Sequence, residues 1–176
     1  MQEPRVTVDE PPVEDEFGEA VREVHRLFPT GVTVVTTAVD GHPYGLAVNA
    51  FSSVSLTPPM VLVCVAETSR THPHLISSGH LAVNILSHRQ QATAARFARS
   101  GGEKFEGLDW FPGPHGSPIL AGISVYVEIE VERRIPAYTH TIFIGRVVTS
   151  RSFGVPPLVY LGGGFFDGSA LREAGC

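Results

Sequence analysis

The chain has 176 residues, 43% of them hydrophobic and 18% charged, with a formal net charge of −5. That length and balance predict one folded domain with its own core and exclude a disordered chain. The acidic balance argues against a broad basic surface for nucleic acid, and no apolar run approaches the roughly 20 residues that a membrane helix needs.

Residues 1–16 carry prolines and acids with few bulky apolar groups, and are read as a flexible N-terminal tail. A single domain is expected over 17–168, with a flexible C-terminal end over 169–176. The N-terminus lacks the basic-then-apolar order of a secretory signal, so a cytoplasmic location is expected. Cys64 sits in an apolar run and reads as a small core residue. Cys176 ends the chain, and a cytosolic setting keeps both thiols reduced.

Phe17, Ala20, Val21, Val24, Leu27 and Phe28 recur at helical spacing, and Pro29 stops that helix. Val32 to Val39 is rich in Val and Thr and predicts a strand. Asp40-Gly41 predicts a hairpin turn, with Tyr44 to Phe51 as the returning strand. Met60 to Ala66 is continuously apolar, as for a strand buried on both faces. His72 to Ser78 predicts a short helix, Leu81 to Leu86 a strand, and Gln90 to Arg99 a helix stopped by Gly101-Gly102. Gly107 to Pro118, which holds Trp110, reads as a surface loop. From Ile123 to Arg134, Val125, Val127, Ile129 and Val131 alternate with Tyr126, Glu128, Glu130 and Glu132. That pattern predicts a half-exposed antiparallel strand. Thr141 to Thr149 is its partner, and Pro157 to Leu161 the last strand. The elements predict a mainly β fold, a barrel with peripheral helices.

Several chemistries are unsupported. No G-x-G-x-x-G follows a strand, and Gly162-Gly163-Gly164 lacks the lysine of a phosphate loop, so it reads as a turn. No G-x-S-x-G marks a hydrolase nucleophile. His72 and His74, with His80 and His88 nearby, suggest a metal only by spacing. Residues i and i+2 of a helix do not share a face, so no metal is expected. Glu130 and Glu132 read as a solvated strand face. The most informative string is Gly45 to Pro59, G-L-A-V-N-A-F-S-S-V-S-L-T-P-P. Small hydroxyl residues beside open backbone N–H groups suit an anionic ligand; the simpler reading is a strand followed by a polar turn.

That string resembles the signature of the short-chain flavin reductases, which supply reduced flavin to two-component monooxygenases. Further blocks agree in order: Phe28-Pro29-Thr30-Gly31-Val32-Thr33, Pro58-Pro59-Met60-Val61-Leu62-Val63, Arg96-Phe97-Ala98 with Lys104-Phe105, and His140-Thr141-Ile142-Phe143-Ile144-Gly145. The resemblance implies a split β-barrel, FAD or FMN and NADH or NADPH as nucleotides, a homodimer, and a separate monooxygenase that takes the reduced flavin. It implies that Val48, Asn49 and Ala50 line the flavin and that Ser52, Ser53 and Val54 hold its phosphate. Thr30 to Thr33 lie near the ring, with Val65, Ser69 and His72 as further contacts. His140, as the catalytic candidate, and Phe165 border the nicotinamide. Arg96, Lys104 and Phe105 reach phosphates or the adenosine end.

Two departures stand out. Tyr138-Thr139-His140 replaces the family's Gly-Asp-His and removes a carboxylate that orients the imidazole. Leu161 to Phe166 replaces arginines that commonly follow the last tyrosine. Two other readings share these residues: a flavin-binding protein without turnover, and another flavin oxidoreductase on the same barrel, such as a pyridoxine-phosphate oxidase relative. The latter needs a basic pocket, and the sequence shows no concentrated Arg/Lys cluster for one.

Overall fold

The computed structural model describes residues 18–173. The proposed N-terminal tail, Phe17 and Cys176 lie outside the described residues. The elements run α1 (Gly18–Arg26), β1 (Thr30–Gly31), β2 (Thr33–Val39), β3 (His42–Val48), β4 (Phe51–Leu56), β5 (Pro59–Ala66), α2 (His72–Ser78) and β6 (His80–Ile85). They continue α3 (Gln91–Ala98), β7 (Trp110–Pro112), β8 (Pro118–Leu120), β9 (Val125–Ala137), β10 (His140–Ser152), β11 (Leu158–Leu161) and β12 (Gly164–Asp167), with a short 3-10 turn over Gly168–Ala170. The mainly β class with peripheral helices therefore holds. No helix among the described residues is long and apolar enough to cross a membrane.

One sheet carries the body in the order β3-β2-β6-β9-β10-β5-β4, and all its pairings are antiparallel. It curls until β3 contacts β5. Asp40 and Gly41 both take positive φ, 51° and 78°, as the β2–β3 hairpin turn demands. A second sheet, β1-β11-β12, and the hairpin β7–β8 lie against the first. Gly162 and Gly163, also at positive φ, make the tight turn between β11 and β12. The strand β12 has no counterpart among the sequence expectations.

Alternation along the central strands sends side chains to two cores. Val34, Ala82 and Tyr126 join one core with Phe97, Ile119, Leu120 and Leu158. Val35, Leu81, Val83 and Ile129 join the other with Val61, Val63, Val65, Leu75 and Phe143. The centre of the sheet is thus buried on both faces.

Four expectations change. Tyr126 and Glu128 do not face solvent; they are 8% and 0% exposed. The β7–β8 hairpin covers them, and the N–H groups of His115 and Ser117 bond the Glu128 carboxylate at 3.2 and 3.1 Å. Gly107 to Pro118 is accordingly not a plain loop: it contains β7, and Trp110 packs edge-on against Phe105 at 6.1 Å. Met60 to Ala66 is buried on one face only, because β5 lies one strand from the sheet edge. The strand expected over Tyr44 to Phe51 breaks at Asn49-Ala50, and the serines beyond it form β4 rather than a turn. Glu130 and Glu132, by contrast, are on the surface and flank Arg146.

Helix α1 follows the expected amphipathic pattern, yet none of its described residues is buried. Val21, Val24, Leu27 and Phe28 are exposed. The Arg26 carbonyl accepts from Gly162 N–H at 2.9 Å, which seats the helix end on the β11–β12 turn.

At Gly145 the β9–β10 register shifts, and a Cβ there would stand 2.5 Å from Glu130 O and 2.7 Å from Ile129 Cδ1. Backbone must move to admit it. Gly145→Ala is expected to destabilise the fold by about 1–3 kcal/mol, read as a lower urea midpoint at unchanged slope.

Candidate active site

A cleft of about 640 Å³ opens between β3, the loop after β5, α2 and the segment after α3. Its walls meet at Gly45. A Cβ at Gly45 would lie 2.8 Å from Phe97 Cε1, so only glycine lets β3 approach α3 this closely. The Gly45 carbonyl then accepts from Thr71 Oγ1 at 3.0 Å and from Lys104 Nζ at 3.3 Å. Lys104 also donates to Phe97 O at 3.1 Å, and burial pushes its pKa down. Tyr44 and His74 stack at 3.4 Å between ring centroids, with planes 11° apart, and make a flat aromatic wall.

Arg70, Arg99 and Lys104 all line this cleft, with Glu103 as the one acidic side chain among its lining. The Arg70 guanidinium stands over Gly101, whose Cβ would be 3.0 Å away. The expectation of no basic cluster is therefore corrected. Arg70 lies about thirty residues before Arg99 and Lys104 in sequence, so the fold gathers what the sequence disperses. A more open extension of the cleft adds Arg96, whose Nη1 donates to Glu106 O at 2.7 Å.

The structure distributes the sequence-predicted residues unevenly. Ser69, Lys104 and Phe105 line the cleft. Val48 ends β3 just beyond the cleft's Ala47, and Thr33 pairs with it and donates its hydroxyl to Val48 O. Asn49 and Ala50 are exposed at the β3–β4 junction. Ser52, Ser53 and Val54 are exposed along β4, off the cleft lining, and a register shift leaves Val54 without a cross-strand partner. Val65 is in the core at 1% exposure. His140 is exposed at the start of β10 and pairs with Ala66, which lines the cleft. Its Nδ1 lies 2.9 Å from Thr139 Oγ1.

Thr30 and Phe165 flank Tyr160 in the second sheet, one on each side, both paired with it. Thr30 Oγ1 is buried without a hydrogen-bond partner. Phe165 and Phe105 pack against the same core. Sequence reasoning missed Tyr44 and Arg99, which stand in no recognisable motif; Gly45 opens the Gly45 to Pro59 string, His74 was weighed only for a metal, and Arg70 and Thr71 lay inside the Ser69 to His72 segment it singled out.

The four histidines weighed for a metal have separate partners. His72 Nε2 meets Thr141 Oγ1 at 2.8 Å, His74 stacks on Tyr44, His80 Nδ1 meets Ser117 Oγ at 2.9 Å, and His88 Nδ1 meets Asp167 Oδ1 at 2.9 Å. Burial pushes the His80 pKa down, and burial likewise pushes the Cys64 thiol up.

Comparison with known proteins decides the family. Residues 24–169 match the flavin reductase like domain. The chain belongs to the flavin reductase-like family. It is 40% identical over 156 residues to the reductase subunit of a stachydrine N-demethylase from Rhizobium meliloti, covering 88% of this chain and 68% of that one. It is 37% identical to an FMN reductase (NADH) from Agrobacterium fabrum, covering 85% of this chain and 86% of that one. Among solved structures, Streptomyces globisporus NADH:FAD oxidoreductase in complex with NAD and FAD fragments superposes with a TM-score of 0.81 at 34% identity, covering 94% and 98% of the two chains. The chain spans about half the length of some other curated relatives that it matches. The fold is thus the split barrel of flavin reductases.

The strand that carries Phe165 ends at an anchor. Asp167 caps Ser169 N–H at 2.8 Å and meets His88, and these contacts, Ser169 first, hold its carboxyl at about 2 rather than 3.8. A depressed carboxyl pKa contributes stability that is complete above the ordinary value and lost as pH falls through the folded one. Between pH 3.8 and about 2 the melting temperature of the native protein is expected to fall more steeply than that of Asp167→Asn. Parallel curves would show the anchor to be without effect.

Proposed function

We propose that the chain is an NAD(P)H-dependent flavin reductase that releases reduced FAD or FMN to a separate flavin-dependent monooxygenase. The observation that carries this reading is a cationic cleft walled by stacked aromatic rings and reaching Ala66, the strand partner of His140. The donor set fits a dinucleotide: cations for phosphates, rings for stacking, and hydroxyls for polar edges.

Val48, Asn49 and Ala50 line the flavin ring edge with Thr33 behind them. Ser52, Ser53 and Val54 receive the flavin phosphate. They lie on an edge strand, whose outward N–H groups have no ladder partner, and the irregularity at Val54 turns that edge. Thr30 offers its unpartnered hydroxyl, and Val65, Ser69 and His72 support the floor and wall of the site. Arg70, Arg99, Lys104 and Arg96 neutralise the remaining phosphates, with Phe105 under the adenosine end. His140 and Phe165 border the nicotinamide.

The bound nucleotides supply the chemistry, a hydride from nicotinamide C4 to flavin N5. The protein's part is to hold the two rings in alignment, a task of proximity rather than of acid–base chemistry. His140 hydrogen-bonds the nicotinamide side and fixes its angle.

Val21 and Val24 on α1, and Leu27 and Phe28 just after it, are exposed apolar groups fit to be covered by a second copy, and a homodimer is the assembly proposed. The proposed location is the cytoplasm.

Mixing the protein anaerobically with FAD or FMN and with NADH or NADPH tests the reading. Loss of the oxidised flavin band is expected. Binding without that loss would leave a non-catalytic flavin protein instead. His140→Ala is expected to bind flavin normally and to slow reduction by about 100-fold at an unchanged melting temperature. Wild-type rates at all nicotinamide concentrations would remove His140 from the site. Sedimentation at micromolar concentration is expected to show a dimer, and a fully active monomer would rule that assembly out.

A further inference from the structure

One wall of the cleft is a loop, Thr68 to Thr71, between β5 and α2. Glu67 precedes it and His72 follows it. Both are bonded to the same hydroxyl. Thr141 Oγ1 donates to Glu67 Oε1 at 3.3 Å and lies 2.8 Å from His72 Nε2. Thr141 is only 4% exposed and follows His140 directly on β10. On the other side of His140, Thr139 O accepts from Glu67 N–H at 3.0 Å.

The hydroxyl has one proton. A carboxylate only accepts, so that proton is committed to Glu67 and the oxygen lone pair is left for His72. His72 is therefore held as the tautomer with its proton on Nε2. Phe143 sets the imidazole plane, edge to face at 5.8 Å. Hydrogen bonds within the loop are local: Ser69 N–H to Ala66 O, Thr71 N–H to Ser69 Oγ and His72 N–H to Ser69 O. Thr71 Oγ1 to Gly45 O ties the loop to β3, and the Thr141 hydroxyl ties both of its ends to β10.

We propose that Thr141 is a positioning residue: its hydroxyl clasps Glu67 and His72, and so sets the spacing between the Ser69–Arg70–Thr71 wall and His140. Glu67 thus reaches both neighbours of His140, its backbone N–H bonding Thr139 O and its carboxylate accepting from the Thr141 hydroxyl. This proposal rests on the reductase reading above for its kinetic arm only.

Thr141→Val removes the hydroxyl at nearly constant volume, and Thr141→Ser keeps it. Two measurements are made on each: nitrogen-15 spectra of the His72 ring, and single-turnover flavin reduction by NADH. The native protein and Thr141→Ser are expected to show His72 protonated at Nε2, and Thr141→Val a mixture of tautomers. Thr141→Val is expected to slow reduction at least about tenfold, since a displacement near 1 Å can cost about 100-fold, and Thr141→Ser to restore most of the rate. Glu67→Ala, at an exposed position, is expected to mix the His72 tautomers in the same way without disturbing the core. Equal slowing in the Val and Ser variants would reduce Thr141 to a packing residue and overturn the proposal, as would a native rate in Thr141→Val. If the native protein reduces no flavin, the reductase reading fails by itself. The His72 spectrum then decides the clasp, and an unchanged spectrum in Thr141→Val overturns it.

Discussion

The cleft exists because β3 has no side chain at residue 45. Phe97 occupies the space a Cβ would need, and this brings α3 against the sheet. The bared carbonyl then collects Thr71 from one wall and Lys104 from the other. Three segments far apart in sequence are thereby joined at a single backbone oxygen. The ammonium of Lys104 is spent on two carbonyls, so it acts as a strut as well as a charge. The more exposed cationic residues at the cleft are Arg70 and Arg99.

The central strands were legible in the sequence because their pattern is local. Asp40-Gly41 announces its own turn, and a β-branched run announces β2. What failed to read was cover. Glu128 looks identical to Glu130 and Glu132 in sequence, since all three alternate with valine and isoleucine. The difference is the β7–β8 hairpin, whose N–H groups meet Glu128 and nothing on the strand itself. A buried carboxylate is tolerable only with such donors. The donors lie more than ten residues away, in a segment whose Gly and Pro content reads as loop.

The site was legible in part for the same reason. Within the contiguous run Ser69 to His72, Ser69, Arg70 and Thr71 form a wall of the cleft as one piece. The stacked pair Tyr44 and His74 joins residues thirty apart, and the cationic set joins Arg70 with Arg99 and Lys104. No spacing rule applies to either. A polar turn is the simpler reading of the serines of Gly45 to Pro59, because polar residues on an edge strand look like turn residues, and the structure places them on β4 instead. An edge strand has one face of its backbone open to water and tolerates side chains that a central strand would not.

On the reductase reading, these features serve a protein that must let go of its product. The groups assigned to the flavin, Asn49, Ala50, Ser52 and Ser53, are neutral and exposed. Contacts of that kind give up little desolvation energy and are weakened by competing water, so they favour exchange over retention. The cations line the cleft itself, and Arg70 and Arg99 are exposed residues whose charges solvent and salt screen. Tight binding of the oxidised and reduced flavin alike would lower the barrier to neither hydride transfer nor release. The rigid parts, Gly45 with Phe97 and Thr141 with Glu67 and His72, are instead where alignment of two rings is decided. Rigidity sits in the frame, and the surface that touches the departing flavin is left open.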